Sequence, residues 1–233
     1  MTTVVYKSDQ RGRADYDWLN TRYSFSFANY YNPENIHFGA LRVLNDDTIQ
    51  AGMGFGMHPH DNMEIITIPL KGALMHQDSM GHRSVITSGE VQVMSAGTGI
   101  RHSEFNASEN EVLRLFQIWI FPDRQGLKPR YDQKKFEPKT GEPLLLVSPD
   151  GREGSLAISQ NAFISEIKMN AGEEFTYSLY AEGNGLFIMV VEGKATVDGK
   201  TLSKRDAITV EQAGQVLVHA EEKPDLLILE VPL

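Results

Sequence analysis

From Phe38 onward, apolar positions fall in short β-rich runs rather than in helical stripes. Ala40 to Leu44, Glu64 to Leu70, Ser84 to Thr87, Glu90 to Met94 and Val112 to Phe121 are the clearest of these runs. Between them stand Asn45-Asp46-Asp47, Ser79-Met80-Gly81, Ser88-Gly89 and Asn106 to Asn110, turn formers of the kind that separate antiparallel strands. No long 3.6-residue periodicity competes, so the pattern predicts an all-β chain folded as a sandwich or jelly-roll barrel. Residues 23 to 27 alternate aromatic residues with Ser, which predicts a half-buried strand, and some aromatics between Trp18 and Tyr31 are candidates for the mouth of a pocket.

A stretch rich in Pro, Gly and Lys from Asp123 to Pro143 interrupts the pattern, with Tyr131 to Phe136 compatible with one helical turn. Strands resume in Ser155 to Met169, Leu186 to Glu192, Ala207 to Val210 and Leu226 to Val231. The expected division is an N-terminal metal-binding domain over 1–123, a linker over 124–143 and a C-terminal domain over 144–233. A weak internal repeat links the halves: Gly52 to Gly72 spans 20 positions and Gly172 to Gly193 spans 21, while His102 follows Gly89 and His219 follows Asp206 by 13. On this register Ser178, Tyr180 and Asn184 replace His58, His60 and Glu64, and His219 and Glu221 replace His102 and Glu104. The second half then reads as a copy that kept its barrel and lost its site.

Composition narrows the chemistry. A net charge of −9 with no basic cluster argues against direct nucleic-acid binding. The absence of cysteine leaves nitrogen and oxygen as the metal donors. No apolar run approaches a membrane span and no signal-like segment opens the chain, so a cytoplasmic protein without membrane contact is expected. The donors concentrate between Gly52 and Asn106. Strand alternation turns His58 and His60 the same way, and likewise His102 and Glu104, so two neighbouring strands would gather three imidazoles and a carboxylate. Alternation alone does not choose between Glu104 and Glu64. Glu64 stands four residues beyond His60, roughly 13 Å along a regular strand, which favours Glu104 as ligand and leaves Glu64 to accept a hydrogen bond from a ligand imidazole. His76 is expected to face solvent or to be hydrogen-bonded in the core, and Arg101 to face away from the site.

The spacing Gly52, His58-x-His60, Glu64, Gly72, then Gly99-x-x-His102 and Asn106, is similar to the two motifs of the cupin superfamily. More narrowly, Thr21 to Pro33, Leu41 to Asp47, Gly54-Phe-Gly-Met-His-Pro-His60 and Met94 to Glu104 resemble the pirin family. The likeness covers the N-terminal half closely and the C-terminal half in general layout. It implies two tandem cupin barrels, with iron, as Fe(II), in the first. Some pirins show quercetin 2,3-dioxygenase activity, and eukaryotic members are nuclear modulators of transcription factors. Carried over by position, the ligands are His58, His60, His102 and Glu104, with Glu104 also the catalytic proton acceptor, whereas the wider cupin pattern would use Glu64. Two departures bear on this: the interval from Glu64 to Gly72 is one residue longer than the common cupin form, and the usual proline is missing near Ser95 to Gly97. The function implied is iron-dependent cleavage of a flavonol such as quercetin by dioxygen; a monomer is expected because two barrels can cover each other's faces. The alternatives are an iron-binding regulatory module with a protein partner, and a metal-dependent isomerase or decarboxylase.

Overall fold

A computed structural model describes residues 1–233. It divides into two compact units: residues 12–136 with 158–160, and residues 1–11, 137–157 and 161–233. The first strand, β1 (Thr2–Tyr6), belongs to the second unit. The first unit holds β2 (Gly12–Asp15), β3 (Leu19–Tyr23), β4 (Leu41–Ile49), β5 (Gly54–His60), β6 (Glu64–Lys71), β7 (Ala73–Asp78), β8 (Arg83–Thr87), β9 (Glu90–Ser95), β10 (Ile100–Asn106), β11 (Leu113–Ile120) and β12 (Arg130–Lys135). These form a seven-stranded sheet, β12-β9-β6-β11-β4-β3-β2, and a four-stranded sheet, β5-β10-β7-β8. The second unit repeats the plan. Its strands are β13 (Leu144–Ser148), β14 (Leu156–Ala157), β15 (Phe163–Lys168), β16 (Glu174–Ser178), β17 (Asn184–Glu192), β18 (Lys194–Val197), β19 (Lys200–Ser203), β20 (Ala207–Glu211), β21 (Gln215–Ala220) and β22 (Asp225–Pro232). They make sheets β1-β20-β17-β22-β15-β13-β14 and β16-β21-β18-β19. The fold is all-β, two tandem cupin barrels.

Several elements differ from the expected ones. Arg130–Lys135 is neither linker nor helical turn but an edge strand paired with β9. Its charged sequence hides it, because an edge strand needs few apolar residues and its charges discourage further pairing. Residues 1–11 pass to the second unit because the β-branched run of β1 pairs with β20. Residues 158–160 join the first unit through hydrogen bonds from Asp123 N–H to the Ser159 carbonyl and from Gln160 Nε2 to the Phe121 carbonyl. Asn45-Asp46-Asp47 is no turn but the middle of β4. The strand of Tyr23 ends at that residue, so the aromatic alternation from 23 to 27 continues only as loop.

The interiors of the two barrels contrast. In the second, one continuous apolar cluster, including Tyr177, Leu186, Ile188, Val197, Val216, Val218 and Ile228, fills the space between sheets. In the first, two smaller clusters, one around Leu19, Ile49, Leu74, Ile86, Leu113 and Leu115, the other around Ile65, Met94, Ala96 and Ile100, leave room for polar side chains. Strand pairing also corrects the repeat register. Gly72 precedes β7 as Gly193 precedes β18, which matches His76 to Val197; the pairings Glu104 with His76 and Val218 with Val197 then match Glu104 to Val218. By the same steps His102 matches Val216 and His58 matches Tyr177. His219, opposite Glu174, lies on the other face of its strand and is part-exposed.

Between β5 and β10 the register shifts between His102 and Glu104. Gly54 sits against this irregularity, where an added Cβ would lie 2.1 Å from the Glu104 carbonyl oxygen. Gly54→Ala is therefore expected to cost about 1–3 kcal/mol through overpacking and to lower the melting temperature by several degrees. An unchanged melting curve would show that the strands part there freely.

In the second unit Asp206 accepts from Lys7 Nζ at 2.8 Å, Ser8 N–H at 2.8 Å and Ser203 N–H at 3.1 Å. Burial alone would raise its pKa, but these donors hold it below the ordinary 3.8. A depressed carboxylate stabilises the fold above its unfolded pKa, and that contribution disappears as pH falls through the lower folded value. Asp206→Asn should thus lose about 1–3 kcal/mol at neutral pH in urea unfolding and show less additional loss between about pH 4 and about pH 2 than wild type. Parallel acid profiles for the two proteins would refute this.

Candidate metal centre

Antiparallel pairing of β5 with β10 sets His102 opposite His58 and Ile100 opposite His60, so alternation carries all three imidazoles to the barrel interior. Their ring centroids lie 4.5 to 4.9 Å apart, and one nitrogen from each falls within 4.8 Å of the others. An ion about 2.1 Å from each nitrogen bridges that span with small side-chain adjustments. His58 Nδ1–H donates to the Gly56 carbonyl at 2.7 Å, which leaves Nε2 as the free lone pair. His102 is buried, and neither of its ring nitrogens has a hydrogen-bond partner. Burial, reinforced by the neighbouring imidazoles, lowers the pKa of His60 to about 4 and that of His102 to about 2. Both are neutral near pH 7, the state in which imidazole ligates. Neutral imidazoles, one of them with both nitrogens buried and unpartnered, fit a divalent metal.

Glu104 groups with His102 and His76 rather than with His58 and His60. Gln117 Nε2 donates to its Oε2 at 3.0 Å and the Thr67 hydroxyl to its Oε1 at 3.4 Å. Burial pushes its pKa to about 7; Asp47 adds to the rise, while Gln117 and Thr67 oppose it. His76 is not open for ligation. The Gln92 amide donates to its Nδ1 at 3.1 Å, so Nε2 carries the proton and donates to Asp78 at 3.3 Å. It is the core-bonded histidine expected from sequence. Asp78 also meets the part-exposed His82, and Tyr131 stacks on both His76 and His82.

Glu64 stands apart from the histidines. On β6 the inward residues are Ile65 and Thr67, so Glu64 faces the other side, where it accepts from the Ser95 hydroxyl at 2.6 Å. Burial raises its pKa against the pull of Ser95 and Arg130. The expected hydrogen bond with a ligand imidazole is absent because the turn between His60 and Glu64 breaks the parity count. Arg101 points outward, as alternation requires, with Nη2 3.4 Å from the Met57 carbonyl.

A cavity of about 460 Å³ opens beside the histidines. Its apolar walls are Trp18, Phe27, Phe55, Ile65 and Trp119, and its polar ones Asn45, Asp47, Glu104 and Gln117. Trp119 lies edge-on to Phe27 at 5.3 Å and to His60 at 4.9 Å. Three consecutive Asx residues signal a turn and so mask Asn45 and Asp47 as cavity residues, although their i, i+2 spacing directly after an apolar run is compatible with one face of a strand.

The Pirin family model matches residues 5–120 and a model described as the quercetinase C-terminal cupin domain matches 145–231. The chain belongs to the pirin family. A relative from Escherichia coli (strain K12) named quercetin 2,3-dioxygenase is 44% identical over 226 residues, 97% of each chain. A putative quercetin 2,3-dioxygenase from Pseudomonas aeruginosa is also 44% identical, over 96% of this chain and 97% of its own. Among solved structures, the bacterial pirin YhhW from Escherichia coli in complex with nickel(II) superposes with a TM-score of 0.95 at 41% identity, covering 99% of both chains. An oxalate decarboxylase from Bacillus subtilis, at 10% identity and TM-score 0.71 over 98% of this chain and 77% of its own, shares the fold alone.

For this pirin the geometry predicts an asymmetric response to mutation. His102→Ala should abolish retention of nickel or zinc after gel filtration, while His219→Ala should keep the wild-type stoichiometry by elemental analysis. Metal loss in the His219 variant would relocate the centre.

Proposed function

We propose that this pirin is a metal-dependent dioxygenase that cleaves a flavonol such as quercetin, with Fe(II) held by His58, His60, His102 and Glu104. The observation that carries the reading is the adjacency of three imidazoles, a buried carboxylate and an aromatic-walled cavity. The names of its relatives support the substrate class. The nickel in the related pirin supports a divalent ion and leaves iron as the proposed one. When bound, iron would supply the one-electron chemistry by which a flavonol can react with dioxygen.

The chain's own part is positioning, water exclusion and proton transfer. Trp18, Phe27, Phe55 and Trp119 bracket a flat ring system and keep water from it. Glu104 takes the proton of the hydroxyl that turns toward the histidines. Burial makes this carboxylate a stronger base than one in water, which favours uptake of that proton. Gln117 and Thr67 fix the carboxylate's orientation and limit the number of ways it can turn.

Oxygen-electrode assays of the iron-loaded protein with quercetin test the reading: oxygen uptake should depend on both metal and flavonol. Its absence would leave a binding or regulatory role. Glu104→Gln should lower turnover roughly 10²-fold or more, the usual scale of a lost general base. Glu64→Gln should leave metal content and turnover within about threefold of wild type, because its partner Ser95 lies on the far face of the sheet. The reverse ranking would assign the proton transfer to the wrong carboxylate.

A further inference from the structure

Most polar side chains around the cavity are already engaged. Glu104 is held by Gln117 and Thr67, and His58 by the Gly56 carbonyl. Two are not. Asn45 is buried on β4 and lines the cavity, yet its Oδ1 has no hydrogen-bond partner; the Nε1 of Trp119, on β11 in the same wall, is also buried and unpartnered. A buried polar atom without a partner is costly, and folding gains nothing from keeping two of opposite kind, one acceptor and one donor, in the same cavity. They are matched to an occupant that brings the missing groups.

We propose that Asn45 and Trp119 are the specificity-determining residues of this cavity, selecting flat aromatic ligands that carry hydroxyl groups beyond the one facing the histidines. A phenolic O–H donates to Asn45 Oδ1, and an oxygen of the same ligand accepts from the Trp119 indole N–H. The register places Asn45 of β4 directly opposite Gln117 of β11, the residue that holds Glu104. Asn45 is thus one strand further from the carboxylate than Gln117 and addresses the part of the ligand remote from the proton transfer. Trp119, packed edge-on to His60, sets how close that ligand lies to the imidazoles. Both act on binding and orientation and neither exchanges a proton with the substrate. The proposal rests on reading the cavity as a substrate site but does not require turnover.

The only tryptophans of the chain, Trp18 and Trp119, both line the cavity, so intrinsic fluorescence reports its occupancy. The test is anaerobic titration of the full-length metal-loaded protein with quercetin and with 3-hydroxyflavone, which keeps the reacting hydroxyl and lacks the others. Wild type should bind quercetin about tenfold or more tighter than 3-hydroxyflavone. Asn45→Leu, and separately Trp119→Phe read through Trp18, should shrink that ratio to about threefold or less by weakening quercetin alone. Collapse of the ratio in either variant supports the assignment, and the second variant serves if the first fails to fold. No preference in wild type, or an undiminished ratio in both variants, overturns it and assigns the two atoms to ordered water. Oxygen uptake without discrimination would remove this proposal and leave the dioxygenase reading; discrimination without oxygen uptake would do the reverse.

Discussion

Everything at the centre depends on the antiparallel pairing of Gly54–His60 with Ile100–Asn106. That register puts His102 against His58 and turns His60 to the same side. A slip of one residue would send Met57, Pro59, Arg101 and Ser103 inward instead. The pairing is set by steric closeness as much as by hydrogen bonds, since at Gly54 the β10 backbone leaves no space for a side chain. Once inside, His60 and His102 are held neutral, because a dry interior penalises imidazolium and the neighbouring rings discourage protonation. Proximity and neutrality thus come from the same strand pairing, and together they make a metal the natural partner of the unused nitrogens.

Much of this was legible in the sequence. The strand runs, the grouping of His58, His60 and His102, and the outward aim of Arg101 follow from period-two alternation over single strands, and the two-barrel plan from the internal repeat and the family resemblance. Faces across a turn are not legible in this way. A count carried through the turn puts Glu64 in phase with His60, and the repeat interval puts His219 in the place of His102, although parity within a strand says nothing about the face taken after a reversal. Asn45 and Asp47 were lost for a different reason. A polar pair inside a buried strand looks like a turn unless the cavity it serves is known. Arg130–Lys135 was missed because strands at a sheet edge need no apolar signature.

The comparison of the two barrels separates what the fold requires from what the site requires. Val216, Val218 and Tyr177 occupy the places of His102, Glu104 and His58, and a single apolar core fills the second barrel. The architecture therefore stands without any of the polar residues of the first. Polar groups at those positions add no evident benefit to packing. They lie beside apolar clusters smaller than that of the second barrel, and some of them leave buried atoms unpaired. Such local departures from a well-packed interior mark functional ground.

The membership of β1 in the second barrel has a consequence for the order in which the molecule is made. Thr2 pairs with Glu211 and Tyr6 with Ala207, so β1 finds its neighbour only after roughly two hundred further residues have been made. Until then its backbone donors and acceptors have no native partners, and the second barrel lacks one edge. The barrel bearing the histidines needs nothing beyond residue 160 and can assemble while the rest is still being synthesised. Closure of the second barrel around β1 is accordingly the late, non-local event of folding, and the slow one on grounds of contact order.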